Sequence, residues 1–284
     1  MVSLRLRSQT RFVVLPPARL QAPETFSNIE ADQQRYDSLV SEMQRFRGMV
    51  YLRDGAVQKS DLTTDGRHRL TVDDWSWHVL SLDRENRVCA CLRYVDESSA
   101  RGFDDLWIRH SALSRFPALT RKFRSAVESG MKSARRLGMG FGEVGGWAVA
   151  EAHRLTIEPL RIILATYGLL RLLGGALGVA TATFRHGSAP ILRRIGLSSL
   201  VSGGQELPPY YDPQYGCDME VLQFDSRSPA PKYENWVADL EQDLALAPVI
   251  CRQAPKRAVA PKPVAAPAWR GLDLTPEPAL ASLW

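Results

Sequence analysis

The sequence predicts a mixed α/β domain: a sheet with helices on both faces. Three observations predict it. Apolar residues alternate along several short runs and recur at helical spacing along others. The two kinds of run interleave from Asp32 to Asp225. The composition, 45% hydrophobic and 24% charged over 284 residues, is globular and long enough to bury a core.

Taken in order, Asp32 to Phe46 reads as a helix, with Tyr36, Leu39, Val40 and Met43 on one stripe. A loop follows, carrying the turn signals Asp54-Gly55 and Asp65-Gly66. Trp77 to Leu82 alternates as a strand, Asp83 to Arg87 turns, and Val88 to Val95 returns to complete a hairpin. Phe116 to Leu137 is a long amphipathic helix with Arg and Lys on its outer face. Phe141 to Val149 is a strand, and Pro159 to Leu173 a helix whose proline suits the first position, where an N–H is not missed. Val179 to Phe184 is the next strand and Ala189 to Ile195 a short helix. The region near Leu200 pairs with Met219 to Phe224, and Tyr233 to Leu246 is a last helix.

The apolar stretch from Ile157 to Ala182 resembles a membrane span until Pro159, Arg161, Arg171 and four glycines interrupt it. A buried helix running into a buried strand fits better, so no transmembrane segment is expected. Residues 1–24, with Pro16-Pro17, read as a flexible arm before a domain over 25–250. Residues 251–284 are rich in Pro and Ala and bury too little to offset their ordering entropy, so a disordered tail is expected.

Charge excludes little. Lys+Arg 36 against Asp+Glu 31 gives +5, thirty of the cations are Arg, and no Lys/Arg cluster with interleaved aromatics suggests nucleic acid. Cys89 and Cys91, two apart on a strand, are expected to share one face; Cys217 and Cys251 stand alone. No cysteine–histidine spacing suggests zinc, and His68 and His78 lack a third ligand. The N-terminal apolar run is too short for a signal peptide, so a cytoplasmic, reducing location is expected.

The informative segment is Gly138-Met-Gly-Phe-Gly-Glu-Val-Gly-Gly-Trp147. Five glycines weaken a strand, and make sense where it bulges, where something approaches the backbone, or where a helix packs tightly on it. Hairpin, long helix, bulged strand, loop into helix, strand, short helix ending Ile-Gly-Leu and hairpin together resemble the GNAT acyltransferases. That resemblance implies a mostly antiparallel central sheet, splayed at the middle. It puts the pantetheine arm of an acyl thioester between the strand Glu143–Val149 and the strand Val179–Phe184, beside Ala148, Val149 and Thr183. The phosphate signature falls on Arg154-Leu-Thr-Ile-Glu-Pro159: Arg154 and Thr156 are its candidate contacts, and Leu155, Thr156 and Ile157 replace the expected glycines.

The branch of N-acyl amino acid and autoinducer synthases is more similar still. Arg47-Gly-Met-Val-Tyr51 matches its first Arg and aromatic, Asp73 or Asp74 its carboxylate before a strand, Arg93 its strand-ending Arg, and Glu143 its glutamate on the bulged strand. Gly146 stands where that branch has an Arg, and Leu192 where many GNAT enzymes have an acidic Tyr. The resemblance implies an N-acyltransferase that moves an acyl group, expected to be long-chain, from a carrier-protein or CoA thioester to a small amine, such as an amino acid. No cofactor is held permanently; acyl-CoA or acyl-phosphopantetheine is the co-substrate. Glu143 is either the base or amine anchor, or a structural partner of Arg93 or Arg47. An N–H near Trp147–Val149 would hold the oxyanion. Asp73 and Asp74 could orient an ammonium and Arg47 or Arg93 a carboxylate; alternatively, Asp74 and Arg47 pair and tie the loop down. The lost glycines and the Arg-rich helix favour an acidic carrier protein over CoA. The rival reading is a catalytically degenerate GNAT fold acting as a scaffold.

Overall fold

The structure, a computed structural model, describes residues 9–253. In chain order these form β1 (Arg11–Leu15), β2 (Ile29–Ala31), α1 (Gln33–Arg53), β3 (Ser76–Leu82), β4 (Val88–Asp96), α2 (Pro117–Arg136), β5 (Gly140–Val149), α3 (Glu158–Leu172) and β6 (Ala176–Thr183). Then come α4 (Ser188–Ile195), β7 (Ser198–Ser199), β8 (Val201–Ser202), β9 (Gln205–Glu206), β10 (Tyr210–Asp212), β11 (Cys217–Asp225), α5 (Glu234–Leu246) and β12 (Val249–Cys251). The main sheet runs β10-β11-β6-β5-β4-β3-β1-β12-β2, with β7 also on β11, while β8 and β9 make a separate hairpin. Pairing is antiparallel except for β5 with β6, β1 with β12 and β12 with β2.

α1 and α2 cover one face, α1 over β1, β3 and β4 and α2 over β5, β6 and β11. α3, α4 and α5 cover the other. Ile162 to Leu170 is buried all round, as a helix caught between a sheet and a second helix must be. That location explains the apolar stretch that resembled a membrane span, and no described helix is long and apolar enough to cross a membrane.

Three expectations need correction. Residues 11–15 are no arm: β1 lies inside the sheet, with Val14 opposite both Val79 of β3 and Val249 of β12. Four apolar residues between Arg11 and Pro16 give no periodicity, and the partner β12 lies far along the chain. β12 in turn carries the fold past residue 250 to Cys251, while residues 254–284 of the expected tail lie outside the described residues. Secondly, α1 does not stop at Phe46. Its stripe of Tyr36, Leu39, Met43, Phe46 and Val50 continues through Gly48 to Arg53. Gly48 belongs there because the following loop lies against it: a Cβ would sit 2.7 Å from the Gly66 carbonyl oxygen. The His68 N–H also bonds the Gln44 carbonyl at 3.0 Å. Thirdly, Cys89 and Cys91 do not face alike. The β3–β4 register skips Cys89, pairing Ser81 with Ala90 and Leu82 with Val88, and such a bulge reverses the alternation. Cys91 faces Arg47 and Arg93, whereas Cys89 lies nearer Glu158 and Arg161; burial pushes both thiols up to about 12.

Candidate functional site

β5 and β6 pair in parallel from Gly140 with Ala176 to Val144 with Ala180, and no further. Beyond that point β5 continues to Val149 along β4 and β6 to Thr183 along β11, so the two strands part. The cause is local. β5 bulges against β4 between the pairs Arg93–Gly145 and Cys91–Ala148, and Gly146 sits there at φ +66°. Only glycine enters this left-handed region freely, and a Cβ on it would also crowd Arg93 Cγ at 3.3 Å. A cavity of about 450 Å³ opens along the parting, lined by Glu143 to Val149 on one side and Ala180, Thr181 and Thr183 on the other.

The polar end of the cavity is formed by Arg47 of α1, Arg93 of β4 and Glu143 of β5. Arg47, 1% exposed, is held at each nitrogen: Nη1 and Nη2 donate to Asp73 Oδ1 and Oδ2 at 3.0 and 2.7 Å, Nη2 also to the His68 carbonyl at 2.5 Å, and Nε to His68 Nδ1 at 3.2 Å. Asp73 accepts further bonds from Gln44 Nε2 at 3.0 Å and the Leu70 N–H at 3.1 Å. Burial opposes ionisation of Asp73, but its contacts with Arg47 win and hold the carboxyl well below the usual range. Accepting the Arg47 bond fixes His68 as the neutral imidazole, and burial with Arg47 nearby lowers its pKa to about 4.

Arg93 differs from Arg47. Its guanidinium lies 3.6 Å from Glu143 Oε1, 3.9 Å from Asp73 Oδ1 and 5.8 Å from the Trp107 ring centre. Its Nε and Nη1 have no hydrogen-bond partner among the described residues, and neither do Glu143 Oε2, Trp147 Nε1 or the Tyr210 hydroxyl. Buried polar atoms are rarely left so, and here they converge on one cavity. Burial raises the Glu143 carboxyl to about 7, against the pull of Arg93. A carboxylate so placed can exchange a proton near neutral pH.

The cavity lining therefore includes Glu143, Trp147, Arg47, Arg93, Ala148, Val149, Arg154 and Thr183 of the residues expected from sequence. Three fall elsewhere. Asp73 stands behind Arg47, out of the lining. Asp74 is exposed and offers only its carbonyl, to the Ala18 N–H; its side chain is no partner of Arg47. Thr156 Oγ1 donates to the His153 carbonyl at 2.7 Å and accepts the Glu158 N–H at 3.1 Å, outside the cavity wall. Leu192 lines the cavity at the position of the absent tyrosine. Sequence reasoning missed much of the remaining wall: Ser111, from a short turn after β4, and Tyr210 and Tyr215, from the β10–β11 hairpin. Those segments have no periodicity, so no signal in the chain marks them. Among the described residues, no cluster of His, Cys, Asp or Glu could hold a metal ion.

No protein-family model matches the sequence, and no curated protein matches it. Solved structures do. The CoA-dependent acyl-homoserine lactone synthase BjaI, with SAM and isopentyl-CoA, aligns at TM-score 0.53 and 12% identity, over 87% of this chain and 95% of that one. The same synthase with MTA aligns at 0.52 and 12%, with the same shares of the two chains. MesI, another CoA-dependent acyl-homoserine lactone synthase, aligns at 0.51 and 13%, over 82% and 95%. At such identities the likeness speaks for the fold: this chain has the GNAT-like fold of the acyl-homoserine lactone synthases.

Proposed function

We propose that this protein is an N-acyltransferase, moving an acyl group from a pantetheine thioester to the amine of a small amino acid. The observation that carries the reading is the cavity where β5 leaves β6, with an unsatisfied Glu143 and Arg93 at its polar end. The thioester arm would lie in the parting like an added strand. The Ala150 N–H points to β4, bonding the Cys89 carbonyl at 2.8 Å; alternation turns the Val149 N–H the other way, toward a thioester oxygen.

Arg47 spends four of its five N–H donors on Asp73 and His68, whereas Arg93 leaves Nε and Nη1 without a partner, so an acceptor carboxylate falls to Arg93. Its amine then lies near Glu143. The amine nitrogen attacks the thioester carbonyl carbon, and the C–N bond forms while the C–S bond breaks. The proton shed by nitrogen passes to Glu143 and from there to the departing thiolate. The product is an amide and a free thiol, and Glu143 returns to its starting state. No tyrosine is needed at Leu192, because a thiolate leaves readily. The neighbours' descriptions as CoA-dependent acyl-homoserine lactone synthases support a thioester donor and an amine acceptor.

The test is thiol release and mass spectrometry of product, with acyl-CoA and acyl-carrier thioesters against a panel of amino acids. Turnover is expected only with both substrates, rising with pH through about 7 as Glu143 deprotonates. Glu143→Gln should lower it about 10²–10⁴-fold with the fold intact. No thiol release with any pair, or full turnover by the variant, overturns the proposal.

A further inference from the structure

Where the resemblance places a donor phosphate, the structure holds an ion pair instead. Arg154 lines the cavity beside Asp54, and its Nη2 bonds Asp54 Oδ2 at 2.5 Å while Nε bonds the Val149 carbonyl at 3.2 Å. Asp54 is the residue that ends α1, its N–H donating to the Val50 carbonyl. A carboxylate there faces the negative end of the helix dipole, an unfavourable place unless a cation compensates. Arg154 and Arg53 supply that compensation; Arg53 Nε lies 3.2 Å from Asp54 Oδ1 and its Nη1 3.0 Å from Glu151 Oε2. The pair is partly open, with the side chain of Asp54 15% exposed and that of Arg154 36%. Two acids, Asp54 and Glu151, thus crowd a place that a phosphate would share, and Leu155, where the resemblance implies a glycine, is exposed and adds a side chain there.

We propose that Asp54 gates the donor: it occupies Arg154 in place of phosphate, and the phosphate ester of a pantetheine donor must displace it to bind. The proposal rests on the acyl-transfer reading above and adds a residue that sets donor selection. With Asp54 in place, each phosphate that approaches Arg154 meets a competing carboxylate. Donors carrying several phosphates are penalised more than a donor carrying one, so the gate favours a carrier-borne arm over free CoA.

Calorimetric titration of the full-length protein tests this with three probes: CoA, 4′-phosphopantetheine and pantetheine. Asp54→Asn should tighten CoA about fivefold, the scale of losing one competing ion pair, tighten 4′-phosphopantetheine by less, and leave pantetheine unchanged. Asp54→Ser, which also removes the charge, should do the same, so one misfolded variant does not decide the matter. Adding Arg154→Gln should abolish the gain. A larger gain for CoA than for 4′-phosphopantetheine supports selection against extra phosphates, and an equal gain for both overturns that selection. Unchanged affinities, an equal gain for pantetheine, or no CoA binding by wild type and variants all overturn the gate. Because these titrations need no turnover, the gate can fail while thiol release still occurs, and the reverse.

Discussion

Replacing Asp73 by Asn distinguishes an anchor from a substrate ligand. The side chain is 1% exposed, as is that of Arg47, and its two oxygens accept four hydrogen bonds, from Arg47 twice, Gln44 and the Leu70 N–H. Asparagine keeps the volume but presents an NH₂ to at least one of those donors and removes the charge that compensates Arg47. Arg47 then stays buried with a neutral His68 as its remaining side-chain partner. Leaving one member of a buried pair uncompensated costs about 3–5 kcal/mol. Urea unfolding followed by tryptophan fluorescence should show a midpoint lowered by that amount at unchanged slope. Replacing the pair together, Arg47→Met with Asp73→Leu, should recover much of the loss, because the unpaired charge disappears with its partner. A stability loss below about 1 kcal/mol for Asp73→Asn, accompanied by a raised KM for the amine, would refute the anchor assignment and return Asp73 to the substrate.

Two further predictions concern the same region. Gly48→Ala should cost about 1–3 kcal/mol, because its Cβ meets the Gly66 carbonyl and the His68 N–H at 2.7 and 3.1 Å; a melting temperature equal to wild type would contradict the packing described. Four buried groups make opposed contributions to the pH dependence of stability. His68 and His78, lowered by burial from 6.5 to about 4, are protonated between those values only when unfolded, so they make stability rise with pH. Glu97 and Glu143, raised by burial from 4.5 to about 7, hold a proton over the overlapping range only when folded, so they make it fall. Between 4.5 and 6.5 the two histidines oppose the two glutamates. Glu97→Gln should unmask one histidine, giving a rise of about 1.4 kcal/mol per pH unit across that window. A variant profile parallel to wild type in urea titrations at several pH values would contradict this.

Elements were legible in the sequence where the physics is local. The stripe of α1, the β3–β4 hairpin, the proline at the start of α3 and the glycines of β5 each act over a few residues, and each matches the structure. Glu143 and Arg93 are singled out by the resemblance to the synthases, on strands that the local pattern predicts. What failed was non-local. β1 is a central strand because β3 and β12 flank it, and four apolar residues do not announce such partners.

The chain by itself determined that β5 would be soft, since Gly145-Gly146 admits a backbone conformation closed to other residues. Tertiary structure decided what the softness does, by parting β5 from β6 once β4 and β11 had claimed their other edges. It also chose between chemically equal candidates. Arg47 and Arg93 are alike in sequence, but packing gives one of them Asp73 and leaves the other open. Asp73 and Asp74 are adjacent, and one backbone turn buries the first and exposes the second. A hydrogen bond depends on three-dimensional placement within a few tenths of an ångström, which no one-dimensional pattern of residue types encodes.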